Sequence, residues 1–321
     1  MILKGYKKIE MANFNCTFGS DDDPMLLYFT DVIYPAINSG ARRKEENKNE
    51  YFIEDVRLYN TKDLGIILVG LHVLKTKLEV KSVYEEGKGI KTTNRKYDSG
   101  PYSAFIIILK NHRMIYIKNQ KGSPSILSFG KTIRYIINDY VEKENKTRDK
   151  SKKLPFAFIN ITNIPSTQSI DQQFKQIEKI RMATFRLYPL NGDMEISEMF
   201  QSFREELSNA GSKSGNMNIN NPKNKVGVSN LVKMAGGKAK TILDVVLING
   251  TEKKLRNKDF SEKIPVYLPE EEEDIHKNVR YAINKVRTKD EIVEVSEKNQ
   301  EIYDKVQDKL MYLMESVRKF K

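Results

Sequence analysis

The chain has 321 residues, 39% hydrophobic and 31% charged, which excludes a disordered polymer and allows one large domain or two ordinary ones. Its 55 Lys and Arg against 43 Asp and Glu leave a formal charge of +12. That surplus points toward polyanionic partners, because phosphates condense counterions that a basic surface releases.

Cys16 is the single cysteine, and His72, His112 and His276 make no HxH or HExxH spacing, so a disulfide framework and a Cys- or His-rich zinc site are excluded. The start MILKGYKKIEMANFNC is broken by Lys7, Lys8, Glu10 and Asn13 and does not read as a signal peptide. The apolar stretches Leu64 to Leu74 and Ala104 to Leu109 are shorter than the ~20 residues that cross a bilayer. The expectation is a soluble, cytoplasmic protein without a membrane partner. The excess of Lys, Asn and Ile fits a low-GC coding origin, such as a bacterium or its mobile elements, with phage defence as one setting.

The N-terminal half reads mainly as strands. IEMANFNCTF is the first, followed by a short helix through PMLLYFTDVIYPAI, with Asp22 or Asp23 as its cap and Pro24 in its first turn. ARRKEENKNE, residues 41–50, is a solvated loop. Tyr51 to Tyr59 alternates, and Gly65 to Leu74 with Lys77 to Tyr84 makes a long strand or hairpin. Gly87, Gly89, Asn94 and Gly100 then mark an irregular loop. The clearest hairpin pairs SAFIIILK with RMIYIKN across Asn111–His112, and its first arm is apolar on both faces, as in a doubly covered strand. Pro124 and Ser125 open a helix with Ile126, Phe129, Ile133, Ile136, Ile137 and Tyr140 at helical spacing.

Residues 142–153, EKENKTRDKSKK, carry no apolar side chain and divide the chain into a strand-rich portion, 1–141, and an α/β portion, 154–268. The latter alternates: strand FAFINITNI, helix SIDQQFKQIEKI, strand MATFRLYPL, helix ISEMFQSFREELSNAG closed by Gly211, and strand TILDVVLING. That β-α-β-α-β order points to a ferredoxin-like or split βαβ arrangement within an α+β fold. SKSGNMNINNPKNK reads as too polar to pack. Residues 269–321 are helical: Pro269 and EEEED start one helix, and Ser296 with Glu297 starts another whose stripe is Ile302, Val306, Leu310, Leu313, Val317 and Phe320. The stripe suits either the chain's own core or an oligomer contact through residues 296–320.

Three kinds of chemistry arise from the motifs. The triplet Glu79-Val-Lys81, with Asp63 upstream, resembles the core pattern of restriction-type nucleases, in which two carboxylates hold Mg²⁺ and a lysine activates water. Alternate strand positions put Glu79 and Lys81 on one face. The simpler reading turns Leu78, Val80 and Val83 to the core and leaves Glu79 and Lys81 in water. Ala235-Gly-Gly-Lys-Ala-Lys-Thr241 lacks the Walker A spacing and reads as a helix end, with Lys238 and Lys240 beside exposed amides that can meet a phosphate. His112 at a hairpin tip beside Arg113 is a weaker candidate general base.

Basic loops carry the leading expectation. Lys88, Lys91, Arg95 and Lys96 are interleaved with Tyr84, Tyr97 and Tyr102, and Lys146, Arg148, Lys150, Lys152 and Lys153 form a second group. The segments 212–225 and 253–263 are further basic loops, and Arg181, Phe185, Arg186 and Tyr188 share a strand. Cations beside aromatics suit phosphate contact and base stacking. The expected function is sequence-tolerant binding of DNA or RNA without a cofactor, with a Mg²⁺-dependent nuclease and an interaction subunit as competing classes.

Overall fold

The computed structural model describes residues 5–46, 49–191, 197–268 and 275–319. The chain is α+β, with two antiparallel sheets and helices packed on them. Its first half supplies β1 (Tyr6–Phe18), β2 (Asp23–Pro24), α1 (Tyr34–Ile37), β3 (Arg43–Lys44), β4 (Glu50–Thr61), β5 (Gly65–Glu85), β6 (Gly89–Ser99), β7 (Tyr102–Ile108), β8 (Arg113–Lys118) and α2 (Ile126–Thr147). The second half supplies β9 (Ala157–Asn163), α3 (Thr167–Lys175), β10 (Ile177–Leu187), α4 (Glu198–Asn209), β11 (Gly215–Asn220), α5 (Lys225–Ala235), β12 (Lys240–Leu247), β13 (Glu252–Arg256), α6 (Asn257–Phe260), β14 (Lys263–Tyr267), α7 (Ile275–Val286), α8 (Asp290–Val293) and α9 (Glu297–Lys319).

The large sheet runs β14-β1-β8-β7-β5-β4-β3, and β1 is its hub. One side of β1 pairs with β14 and then β9, placed end to end, and the other side pairs with β8. Both faces of this sheet are covered, which is why SAFIIILK is apolar on every residue from Phe105 to Leu109. On one face Phe105, Ile107 and Phe14 meet Phe129, Ile133 and Ile137 of α2 and Leu310 of α9. On the other, Ile106, Ile108 and Ile115 meet Val279, Ala282 and Val286 of α7. The stripe of α9 is therefore core: Val306 and Leu310, with Tyr303 and Met314, are buried against the chain's own sheet. Phe320, the Pro269-EEEED start and the side chains of His276 and Val317 lie outside the described residues.

The second sheet runs β11-β10-β12-β13, every neighbour antiparallel. Ala183, Phe185, Leu243 and Leu255 turn one face toward Val228 and Val232 of α5 and Phe200 of α4. The opposite face carries Arg186, Asn216, Asn218, Asn220, Lys240 and Arg256, all exposed or half-buried.

Several expectations change. Residues 142–147 continue α2, and β9 returns to pair with β1, so sheet pairing runs across the expected linker. The first strand of the β-α-β-α-β run thus joins the large sheet and the run does not form one sheet. Ile177 and Ile180 belong to β10, because α3 ends at Lys175; their spacing of three suits a helix face and a bulged strand alike. SKSGNMNINNPKNK contains β11, where Met217 and Ile219 pack while the asparagines between them face water. The basic segment 253–263 contains most of β13 and the start of β14. Asp22 and Asp23 cap nothing: the helical stretch Met25–Ile37 passes from a 3₁₀ turn through a π turn into α1 behind Pro24. Asp23 instead accepts from the Tyr28 hydroxyl at 2.9 Å, and Asp22 from Lys213 at 2.8 Å. Within 41–50, Arg43 lies half-buried and donates to Thr132 of α2.

Polar side chains join the two sheets. Asn15 of β1, fully buried, donates to the Pro189 carbonyl and accepts from the Asn191 amide at 2.6 Å. Asn13 donates to the Gly237 carbonyl at 3.1 Å and accepts from Arg113. Gly237 has φ +76°, and a Cβ there would stand 3.0 Å from the Asn163 carbonyl, so this approach of α5's end to β9 requires glycine.

His72 is fully buried between the Tyr116 hydroxyl at 3.0 Å and Thr132 Oγ1 at 3.1 Å. Burial first, and then the nearby Arg43 charge, lower its pKa from 6.5 to about 3. Between those values the unfolded chain binds a proton that the folded chain refuses, so stability falls as pH drops through the window. Chemical denaturation from pH 6 to 4 should show wild type losing about 1.4 kcal/mol per pH unit more steeply than His72→Gln. Parallel slopes for the two proteins would contradict the assignment.

Candidate functional site

β5 is 21 residues long, but its sheet neighbours end near Lys75. From Thr76 to Glu85 it pairs with β6 alone, and the two strands project as a ribbon roughly 33 Å long at ~3.3 Å per residue. The segment expected as an irregular loop is thus a strand. Gly87 and Gly89, both at φ +75°, make the tight reversal, and Asn94 at φ +51° sits in a bulge of β6. The run from Ile90 through Thr92 and Arg95 to Tyr97 then pairs in order with Tyr84, Ser82, Val80 and Leu78.

That register makes the arm two-faced. One face carries the pairs Leu78–Tyr97, Val80–Arg95 and Tyr84–Ile90, and Tyr84 and Ile90 are 74% and 78% exposed. The other carries Lys77, Glu79, Lys81, Lys91 and Lys96. Among the described residues neither face has a core beneath it, so the inward orientation expected for Leu78 and Val80 is not found: Leu78 is exposed and Val80 half-buried on the open ribbon. Residues 76–99 hold six Lys or Arg against four Asp or Glu. Glu85 engages Lys91 at 2.7 Å and Lys88 at 3.8 Å, and Glu79 engages Lys96 at 3.9 Å. Exposed pairs of this kind hold weakly and release their lysines to a stronger anion. Lys77, Lys81 and Arg95 have no ion-pair partner among the described residues.

The structure does not bring the nuclease triad together. Asp63 lies in the turn before β5 and pairs with Arg287 at 3.2 Å, whereas Glu79 and Lys81 sit far out on the arm. Along one extended strand, residues 63 and 79 are roughly 50 Å apart. No cluster of three His, Cys, Asp or Glu suited to a metal occurs among the described residues. Cys16 is fully buried and its thiol pKa is pushed far up by burial, so it is no nucleophile.

The second basic group lies at the end of α2. Lys146 and Arg148 face Glu142 at 3.9 Å and Glu144 at 3.0 Å, and Lys150, Lys152 and Lys153 follow in an exposed turn. Cations at a helix C-terminus also complement its dipole, which gives these residues a structural use. Gly236 closes α5 in the left-handed conformation, and the Gly237 carbonyl accepts from Asn13, so the glycine pair is absorbed by helix termination and sheet contact. Lys238 borders a small apolar recess with Arg204, and Lys240 is half-buried with its amine 2.8 Å from Asn160 Oδ1. Phe185 and Tyr188 are buried, Arg181 pairs with Glu252, and Arg186 is exposed. His112 is buried at its hairpin tip, where φ is +56°.

Sequence reasoning overlooked the open apolar face of the arm and Arg134, which sits on the outward side of α2. The β5 half of the ribbon reads as strand in the sequence, and for the β6 half only the alternation of Ile90, Thr92, Arg95 and Tyr97, interrupted by Asn94, is a signal. The chain matches no protein-family model and no curated protein.

Because no hydrophobic core among the described residues includes the arm, replacing residues 79–96 with an Asn-Gly turn should change the unfolding free energy by less than about 0.5 kcal/mol in urea denaturation. A loss above about 2 kcal/mol would mean that the ribbon supports the sheet.

Proposed function

We propose that this chain is a sequence-tolerant nucleic-acid-binding protein that engages its ligand through the β5–β6 arm. The observation that carries this reading is one projecting ribbon with Tyr84, Tyr97 and Arg95 on one face and Lys91 and Lys96 on the other. Exposed aromatic rings stack on bases at about 1–3 kcal/mol each without regard to sequence. The lysines add phosphate contacts that release counterions. A two-stranded ribbon is also narrow enough to enter the major groove of a duplex. The ribbon continues a strand of the large sheet, so a ligand that lines it meets a surface already set in register.

A second reading, an interaction subunit, draws support from Leu78 and Ile90, which are exposed on the same face and suit an apolar protein partner. Of the helix stripe first suggested for that role, Val306 and Leu310 are buried in the core and Ile302 and Leu313 pack against it.

Fluorescence-anisotropy titrations with single- and double-stranded DNA and RNA over a salt series separate these readings. Wild type should bind with log affinity falling linearly in log salt. A Lys88→Gln/Lys91→Gln/Arg95→Gln/Lys96→Gln variant should lose about three units of that slope on a single strand. No binding at low salt would overturn the nucleic-acid reading and leave the protein-partner reading in front. An unchanged slope would remove the arm from the interface.

A further inference from the structure

Away from the arm, at the seam between the two sheets, three cations meet around β9. Arg186 of β10 and Lys240 of β12 are a directly opposed cross-strand pair, a placement that sets like charges side by side. Lys240 reaches from there to Asn160 of β9 at 2.8 Å and lies 5.4 Å from the centre of the Tyr188 ring. From the other side Arg134 of α2 donates to the carbonyl of Ile159, the residue beside Asn160. None of the three forms an ion pair among the described residues. The carboxylates nearest along α2, Asp139 and Glu142, engage Lys143 at 2.7 Å and Lys146 at 3.9 Å instead.

This arrangement sets like charges together at a cost. Burial, and then Arg186 and Arg134, hold the Lys240 ammonium below its ordinary pKa. A chain selected only for stability has easier choices at position 240, where a methionine would lie along Tyr188 without a charge to desolvate. An oxyanion set among the three would relieve the repulsion and accept from all of them.

We propose that Arg134, Arg186 and Lys240 form a seat for a phosphate oxyanion. The surroundings favour a phosphodiester of a single strand. Phe158 of β9 and Phe156 just before it, both about half exposed, lead toward Asn160 at spacings of roughly 7 Å, with Lys213 against the Phe158 ring at 5.5 Å. Beyond Arg186 the uncovered sheet face presents Asn216, Asn218 and Thr184, whose amide and hydroxyl groups suit base edges. The seat is independent of the arm and rests on the nucleic-acid reading only for the source of its phosphate.

The test is isothermal titration of inorganic phosphate into the full chain, beside anisotropy with a short single-stranded oligonucleotide, for wild type, Arg186→Gln, Lys240→Met and the quadruple arm variant. The seat predicts at least ten-fold weaker phosphate binding for Arg186→Gln and for Lys240→Met, with the arm variant unchanged. It also predicts that ligand-free Lys240→Met melts no lower than wild type, since the variant relieves repulsion. A matching loss of oligonucleotide affinity identifies the phosphate as that of a polynucleotide, and an unchanged affinity identifies a small phosphoester; both support the seat. Phosphate that fails to bind wild type, or binds both seat variants as tightly, overturns it. So does a Lys240→Met protein that melts well below wild type while Arg186→Gln keeps its phosphate affinity, because Lys240 would then be structural.

Discussion

The structure depends on the pairing of one strand. β1 is buried from Met11 to Phe18 and hydrogen-bonds to β14, β9, β8 and β2, so segments distant in sequence close around it. Its two faces feed the two cores of the large sheet through Phe14 and Met11. Its asparagines then do what apolar residues cannot. Asn13 and Asn15 satisfy backbone groups at Gly237, Pro189 and Asn191, which fixes the second sheet against the first by directional bonds. Replacing Asn15 by an apolar residue would leave the Pro189 carbonyl and the Asn191 amide without their partner, at about 1–3 kcal/mol each.

β9 extends that arrangement to the surface. It is an edge strand, and α2 covers its free edge: Asn138 exchanges hydrogen bonds with the Ala157 backbone at 2.9 and 3.2 Å, and Arg134 takes the Ile159 carbonyl. Covering the edge blocks further strand pairing. It also sets Arg134 beside the seam, where Lys240 and Arg186 arrive from the other sheet. The same constraint that joins the sheets therefore concentrates positive charge at their junction. The arm has a different origin: β5 outruns its sheet partners, and β6 pairs with the excess.

The sequence disclosed much of this through periodicity. The strand from Ile9 to Phe18, the hairpin around Asn111–His112, the helix from Ser125 and the stripe of α9 are legible because one spacing dominates each. Misreadings fall where two physical signals compete. Polarity suggested a loop at residues 212–225, although the alternation of Met217 and Ile219 with asparagines makes an edge strand. Glycines suggested a loop at residues 87–100, although the turn is confined to residues 86–88 and Gly89–Ser99 is a strand bulged at Asn94. Charge at 142–153 suggested a linker, although half of it is the end of α2. The cation cluster was legible only in part. Arg186 and Lys240 stood out as charged positions, but their opposition is a property of register, and Arg134 comes from a helix read for its apolar side.

Hydrogen–deuterium exchange with and without a single-stranded oligonucleotide tests the central claim most directly, because it reports where a polyanion rests without any substitution. Two separate regions should slow on binding: the arm, residues 76–99, and the seam, at residues 156–160 with the ends of β10 and β12 that carry Arg186 and Lys240. Protection confined to other surfaces, or none at an oligonucleotide concentration that saturates the protein, would contradict the account.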